Sequence, residues 1–281
     1  MGVLRASTIL FLFLLLTLPI MPVQALLIAL RLPLARHVPT LYHRVVCKLL
    51  GLRVHLSGAP MAAGPVLIAS NHISWLDIPV LGSIAPLSFV AKREVSTWPF
   101  ISWLARLQRT IFIDRTRRSA VRETREDILS RLAANERIVL FAEGTSSDGN
   151  QVLPFKSSLF AAIEPNGTNG RGYDMQSCAI IYTHIHGLPL NRQQRPGIAW
   201  YGDMDMLSHA WDVLKLGPID VHVRLGEPVS IAAVGDRKQL AAYAYERVRL
   251  DFSQLLTARS VKAHGAAKLP DATSESVELT D

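Results

Sequence analysis

No aspartate or glutamate occurs before Asp77. The only full charges up to Leu76 are the cations Arg5, Arg31, Arg36, Arg44, Lys48 and Arg53. They sit among long apolar runs, a composition suited to an anionic membrane surface. Cysteine is scarce too. Cys47 and Cys178 lie in apolar surroundings and offer neither a disulfide framework nor a metal-type spacing, so they read as buried, reduced thiols. The formal charge is +7, but the arginines follow a greasy segment instead of alternating with polar and stacking residues, which argues against nucleic acid as a partner. No Gly-x-Ser-x-Gly elbow is present either, because Gly144-Thr145-Ser146-Ser147-Asp148 lacks the second glycine. A covalent serine mechanism is therefore not expected.

Charge is also missing from Thr8 to Leu30, a run longer than the roughly 20 apolar residues a membrane helix needs. Pro19 and Pro22 are expected to interrupt it, giving either a simple span or a partly embedded hairpin of helices kinked at the prolines. Val23-Gln24-Ala25 resembles a signal cleavage site. Against cleavage, apolar residues continue to Leu34 and the arginines and lysine follow the run, which favours a retained anchor with that side in the cytoplasm.

The 281 residues, 49% of them hydrophobic, fit one large domain with appendages. We divide the chain into membrane-anchoring apolar and basic helices (1–55), a catalytic-sized domain (56–258) and a flexible tail without apolar periodicity (259–281). Apolar β-rich runs recur at 65–69, 87–91, 110–114, 137–142, 178–183 and 219–225. Residues 115–136 place Val121, Ile128, Leu129 and Leu132 on one side of a helix. This alternation predicts an α/β fold. Residues 165–172 read as a turn-rich loop, and its Asn-Gly-Thr is taken as a chance match to a glycosylation acceptor.

Chemistry concentrates in SNHISWLDIPVL, residues 70–81. On one straight helix His72 and Asp77 would point roughly 140° apart. Pro79 belongs in a first helical turn, so a helix is expected to begin near Leu76 to Ile78, with His72 in the preceding loop and Asp77 at the helix start. A neutral histidine can take a proton from an alcohol while a carboxylate on its other nitrogen fixes the tautomer. The competing reading is a hydrogen-bonded core histidine beside an N-cap aspartate. Glu143, Gly144 and Thr145 end the run 137–142, where open α/β sheets bind their ligands. Glycine there lets a ligand approach the backbone, and the two polar side chains offer contacts for hydroxyls. His184 and His186, two apart and read as neighbours on one strand face, have no acidic or cysteine partner for a metal.

These residues resemble the glycerolipid acyltransferase family, whose first signature is Asn-His-x4-Asp, here Asn71, His72 and Asp77. Residues 91–115 are similar to its second block through Lys92, Glu94, the tryptophan-proline stretch and Arg115. Residues 141–160 are similar to its third block through Glu143-Gly144-Thr145 and Pro154-Phe155-Lys156. The resemblance covers about residues 64–228 and implies a mixed sheet flanked by helices with an N-terminal apolar helical anchor. It implies acyl transfer from an acyl carrier protein or coenzyme A thioester to a lysolipid hydroxyl at the cytoplasmic side of the cell membrane. His72 would be the base and Asp77 its orienter; Asn71, Lys92, Glu94, Arg115, Glu143, Gly144, Thr145 and Ser146 would bind substrate. No cofactor is implied beyond the thioester.

Two departures bear on the acceptor. Where the family usually has a phosphate-holding arginine after Glu-Gly-Thr, this chain has Ser146, so a fork of five donors is replaced by one hydroxyl. The usual fourth-block proline is replaced near Ser177. Both put a phosphate-bearing acceptor in doubt, and SWLDIPVLGSIAPLSFVAK (74–92) with Glu-Gly-Thr-Ser resembles the branch of the family that acylates lyso-ornithine lipid, whose head group carries no phosphate. Lysophosphatidic acid is the alternative acceptor, with Lys92 and Arg115 serving the phosphate. A silent lipid-binding protein of the same fold is the non-enzymatic alternative. Trp98, Phe100, Trp103, Leu104 and Leu107 are read as one helix face lining the acyl path or resting in the interface.

Overall fold

The computed structural model describes residues 1–113, 118–163 and 173–257. Arg115, the Asn-Gly-Thr of the 165–172 loop and the expected tail all lie outside these residues. In chain order the elements are α1 (Gly2–Ala29), α2 (Val38–Leu50), β1 (Leu52–Gly58), β2 (Val66–Ser70), α3 (Asp77–Ile84), β3 (Ser88–Lys92), α4 (Ile101–Leu107), β4 (Ile111–Ile113) and α5 (Arg118–Ala133). Then come β5 (Arg137–Phe141), β6 (Asp174–Ile185), β7 (Leu188–Pro189), α6 (Met206–Lys215), β8 (Ile219–Leu225), β9 (Val229–Ser230), α7 (Ile231–Val234) and α8 (Arg237–Thr257). The six apolar runs become β2, β3, β4, β5, β6 and β8. β1 is additional and runs across the expected domain start at residue 56.

The sheet order is β1-β8-β6-β2-β5-β3-β4, with β7 and β9 added on β6. β2 pairs parallel with β5 and β6, β3 pairs parallel with β5 and β4, and β8 pairs parallel with β1 but antiparallel with β6. The sheet is thus mixed, as the resemblance implied. β2 is buried at all five positions because helices cover both faces. Val66 and Ile68 pack into one core with residues of α2, α3 and α6, and Leu67 and Ala69 into the other with residues of α5 and α8. Ser70 pairs with Phe141 on one side and Cys178 on the other, so the C-terminal ends of β2 and β5 open side by side. That edge is where the site forms.

Two expectations about helices need correction. α1 runs unbroken through Pro19 and Pro22 instead of kinking into a hairpin. Side-chain bonds hold it on both sides of the prolines: Thr17 Oγ1 meets Tyr42 Oη at 2.9 Å, and Gln24 Nε2 donates to Ala35 O and Leu107 O. Neighbouring groups of this kind let a proline stay within an apolar helix. Second, Trp98 and Phe100 are not on the same helix as Trp103, because α4 starts at Ile101 and Phe100 takes φ 64° as its N-cap. Trp103 and Leu107 instead line an apolar groove of about 330 Å³ against Met21, Pro22 and Ala25 of α1.

Candidate active site

Residues 71–76 form the loop between β2 and α3, and α3 opens on Asp77 itself. A turn bond from Asp77 N–H to Ser74 O closes the loop at 3.0 Å. The loop then wraps the carboxylate. Oδ2 accepts the backbone N–H groups of Ile73 (2.7 Å) and Ser74 (3.1 Å) and lies 2.7 Å from His72 Nδ1. Oδ1 accepts the Tyr182 hydroxyl at 2.7 Å. Asp77 is fully buried, so these four donors replace its water shell, and the helix start adds a favourable field. With an acceptor-only carboxylate on Nδ1, the neutral imidazole carries its proton there and its lone pair on Nε2. The ring stacks on Phe141 at 4.0 Å between centroids and 19° between planes, and 19% of the side chain stays exposed. The structure therefore brings His72 and Asp77 together as expected.

Asn71 and Glu143 are placed differently from the expectation that they meet substrate. Asn71 is buried and acts as a surrogate peptide group, donating to Ile180 O at 3.0 Å and accepting from Ile180 N–H at 2.9 Å. It stitches the end of β2 to β6. Glu143 is also buried, and its oxygens accept the backbone N–H of His72 (3.3 Å) and of Leu153 (2.9 Å). Burial pushes its carboxyl up to about 8; the two N–H groups pull the other way, and nearby Asp77 adds to the rise. Gly144, at φ 70°, turns the chain directly after it. Ser147 N–H then bonds His72 O at 2.9 Å, so the Glu-Gly-Thr turn braces the histidine loop from beneath. Thr145 is exposed and Ser146 half-buried on this turn. Lys92 ends β3 and Glu94 follows in a short turn, both exposed.

Sequence reasoning missed Tyr182. It looks like one more apolar strand residue in CAIIYT, and the only hint was that a buried phenol needs a polar partner. Burial first, then the charge and hydrogen bond of Asp77, lift its hydroxyl well above the usual phenol range, so it stays protonated and donating. Tyr182→Phe deletes one of the four donors and leaves Asp77 with more charge to share with His72. The acid limb of the pH–rate profile is expected to move to higher pH with KM nearly unchanged; an unmoved profile would show the hydroxyl to be only structural. His184 and His186 also differ from expectation: β6 ends at Ile185 and His186 turns away at φ 53°. Among the described residues no group of three or more His, Cys, Asp or Glu side chains converges as a metal ion would need.

A family model described as Acyltransferase matches residues 52–187, which contain all these blocks. The lyso-ornithine lipid O-acyltransferase of Brucella abortus (strain 2308) is 40% identical over 264 residues, covering 92% of this chain and 98% of that protein. The protein of the same name from Rhizobium meliloti (strain 1021) is 42% identical over 250 residues, 88% of this chain and 85% of its own. The 1-acyl-sn-glycerol-3-phosphate acyltransferase of Neisseria meningitidis serogroup B is 29% identical over 192 residues, 68% and 71% of the two chains. The fold matches the crystal structure of the 1-acyl-sn-glycerophosphate (LPA) acyltransferase PlsC from Thermotoga maritima with a TM-score of 0.64 at 21% identity, over 90% of this chain and 94% of that one. The chain belongs to the glycerolipid acyltransferase family and is an enzyme of acyl transfer in lipid biosynthesis.

Proposed function

We propose that the protein transfers a fatty acyl group from an acyl carrier protein or coenzyme A thioester to the free hydroxyl of lyso-ornithine lipid, giving ornithine lipid. The observation that carries the mechanism is the 2.7 Å contact between His72 Nδ1 and the buried Asp77 carboxylate. It leaves Nε2 as the base. Nε2 takes the hydroxyl proton, the lipid oxygen attacks the thioester carbonyl, the carbon–sulfur bond breaks, and the leaving thiolate receives the proton from the imidazolium. Asp77 stabilises that imidazolium without changing place. The cycle uses no cofactor beyond the thioester.

Support for the acceptor is chemical. The turn after Glu143 offers the half-buried Ser146 hydroxyl where a phosphate site would want a guanidinium. Relatives covering most of this chain carry the lyso-ornithine lipid name. Lysophosphatidic acid, the acceptor class in the names of more distant relatives, is the competing substrate. α1 is apolar and long enough to hold a membrane, and the cations that follow it support a domain on the cytoplasmic side.

The deciding experiment gives the purified protein both acceptors side by side, with each thioester donor and with His72→Ala as the blank. Preference for lyso-ornithine lipid is expected; preference for lysophosphatidic acid would overturn the assignment. Ser146→Arg is expected to move the ratio of rates toward the phosphate-bearing acceptor by about tenfold, the effect of one added charge-assisted contact. An unchanged ratio would show that residue 146 does not read the head group.

A further inference from the structure

Residues 200–209 lie between the catalytic loop and the anchor. Both ends of this segment bond the loop that carries His72: Trp200 N–H donates to Ile73 O at 3.0 Å, and His209 Nδ1 accepts from Trp75 Nε1 at 3.2 Å. The middle of the segment turns outward and exposes two large apolar side chains between acids. Leu207 is 78% exposed and Met204 38%. The stripe continues along α6 through half-exposed Trp211, four residues on, over whose ring Lys215 Nζ sits at 5.9 Å from the centroid. Leucine and tryptophan four residues apart, followed by a lysine whose ammonium pairs with Asp212 at 2.8 Å, put an apolar stripe beside a polar rim, as on a helix resting in a lipid interface with its aromatic at head-group depth.

This stripe adjoins the anchor. Gly2 of α1 lies against Lys215, so close that a Cβ there would sit 3.3 Å from the lysine Cβ. Arg5 of α1 donates to Leu214 O and Leu50 O. Beside them Val3 and Leu4 are strongly exposed. The exposed apolar start of α1 therefore adjoins the C-terminal end of α6.

We propose that the segment Met204–Leu207 and the adjoining face of α6 form a second membrane-contacting element, whose partner is the bilayer surface itself. Seated there, the segment sets the His72 loop directly over the lipid interface through its two terminal bonds. The insertion is shallow. Asp203 is exposed, and Asp205 is held at head-group level as the N-cap of α6, accepting from Ser208 N–H and Oγ at 2.8 Å each. Those acids also make this contact depend on apolar burial more than on anionic lipid, unlike the basic region after α1.

Because Cys47 and Cys178 are both buried, a cysteine placed at position 207 takes a maleimide label selectively. In full-length protein, a polarity-sensitive probe on Leu207→Cys is expected to shift to the blue when vesicles of phosphatidylethanolamine and phosphatidylglycerol are added. The same probe on Ala134→Cys, exposed in the turn before β5 and so at the opposite end of that strand from the His72 loop, is expected not to shift. No shift at 207 would overturn the proposal. A shift that needs only higher protein concentration would also overturn it and assign the patch to a second copy. This arm does not depend on the enzymatic assignment. In the activity arm, which rests on that assignment, Leu207→Glu is expected to lower transfer to vesicle-embedded lysolipid by about tenfold, less than a fully buried leucine is worth. Transfer to a monomeric short-chain lysolipid is expected to persist. Equal losses on both acceptors would mean a packing role and overturn the membrane contact.

Discussion

Replacing His72 with alanine is expected to reduce acyl transfer by about 10²- to 10⁴-fold, the range a positioned general base supplies. The fold should survive, because the ring is partly open and its loss removes one stacking contact on Phe141 and one donor to Asp77. Asp77→Asn is expected to reach a similar loss by another route. The carboxylate accepts from Ile73, Ser74, Tyr182 and His72. An amide nitrogen in its place either opposes one of the N–H or O–H donors or forces His72 into the tautomer whose Nε2 carries the proton, where it is no longer a base. Steady-state kinetics with circular dichroism as the folding control reads both effects. Transfer within tenfold of wild type in His72→Ala would remove His72 from the role of base, and in Asp77→Asn it would remove Asp77 from the role of its orienter.

The second large effect concerns Glu143, and it is an effect on stability. Alanine there strands the partly buried N–H groups of His72 and Leu153, at about 1–3 kcal/mol for each unsatisfied donor. A loss of about 2–6 kcal/mol is expected in denaturant unfolding, together with a fall in kcat as the histidine loop slackens. If Glu143 held the acceptor, KM would rise instead and stability would stay put. The pH dependence separates the two roles further. The native carboxyl is raised by burial to about 8, above its ordinary value of 4.5, so between those limits the native state keeps a proton that the unfolded chain has released. The stabilisation tied to that proton is full below about pH 4.5 and is lost as pH rises through 8. Glu143→Gln, which is neutral throughout, is expected to flatten stability over that interval; an unchanged slope would mean that the group is ionised in the native state at neutral pH.

Much of the fold was legible because its signals are local. Each of the six apolar runs needed only its own composition to announce a strand. Pro79 located the start of α3, since proline is compatible with a first turn and little else in a helix. β1 escaped although Leu52, Val54 and Leu56 alternate with Arg53, His55 and Ser57 in the period-2 pattern of a half-exposed strand, because it lacks the continuous apolar run that announces the others. The prolines in α1 misled for the opposite reason. A local rule for helix breaking was overridden by side chains of α1 reaching Tyr42, Ala35 and Leu107.

The same division runs through the site. Sequence alone determined that a histidine and an aspartate five residues apart share a loop and a helix start, that a Glu-Gly-Thr turn follows a buried strand, and that an uncharged run precedes both. These are questions of residue type and spacing along the backbone. Only tertiary structure decided what each polar atom bonds. Asn71 turned to Ile180, Glu143 took the backbone of His72 and Leu153, and Tyr182 came from more than a hundred positions away to complete the shell of Asp77. A buried polar group must be satisfied by whatever the packing brings within about 3 Å of it, and the parallel crossovers that bring β2, β5 and β6 side by side have no trace in the spacing of residues along the chain.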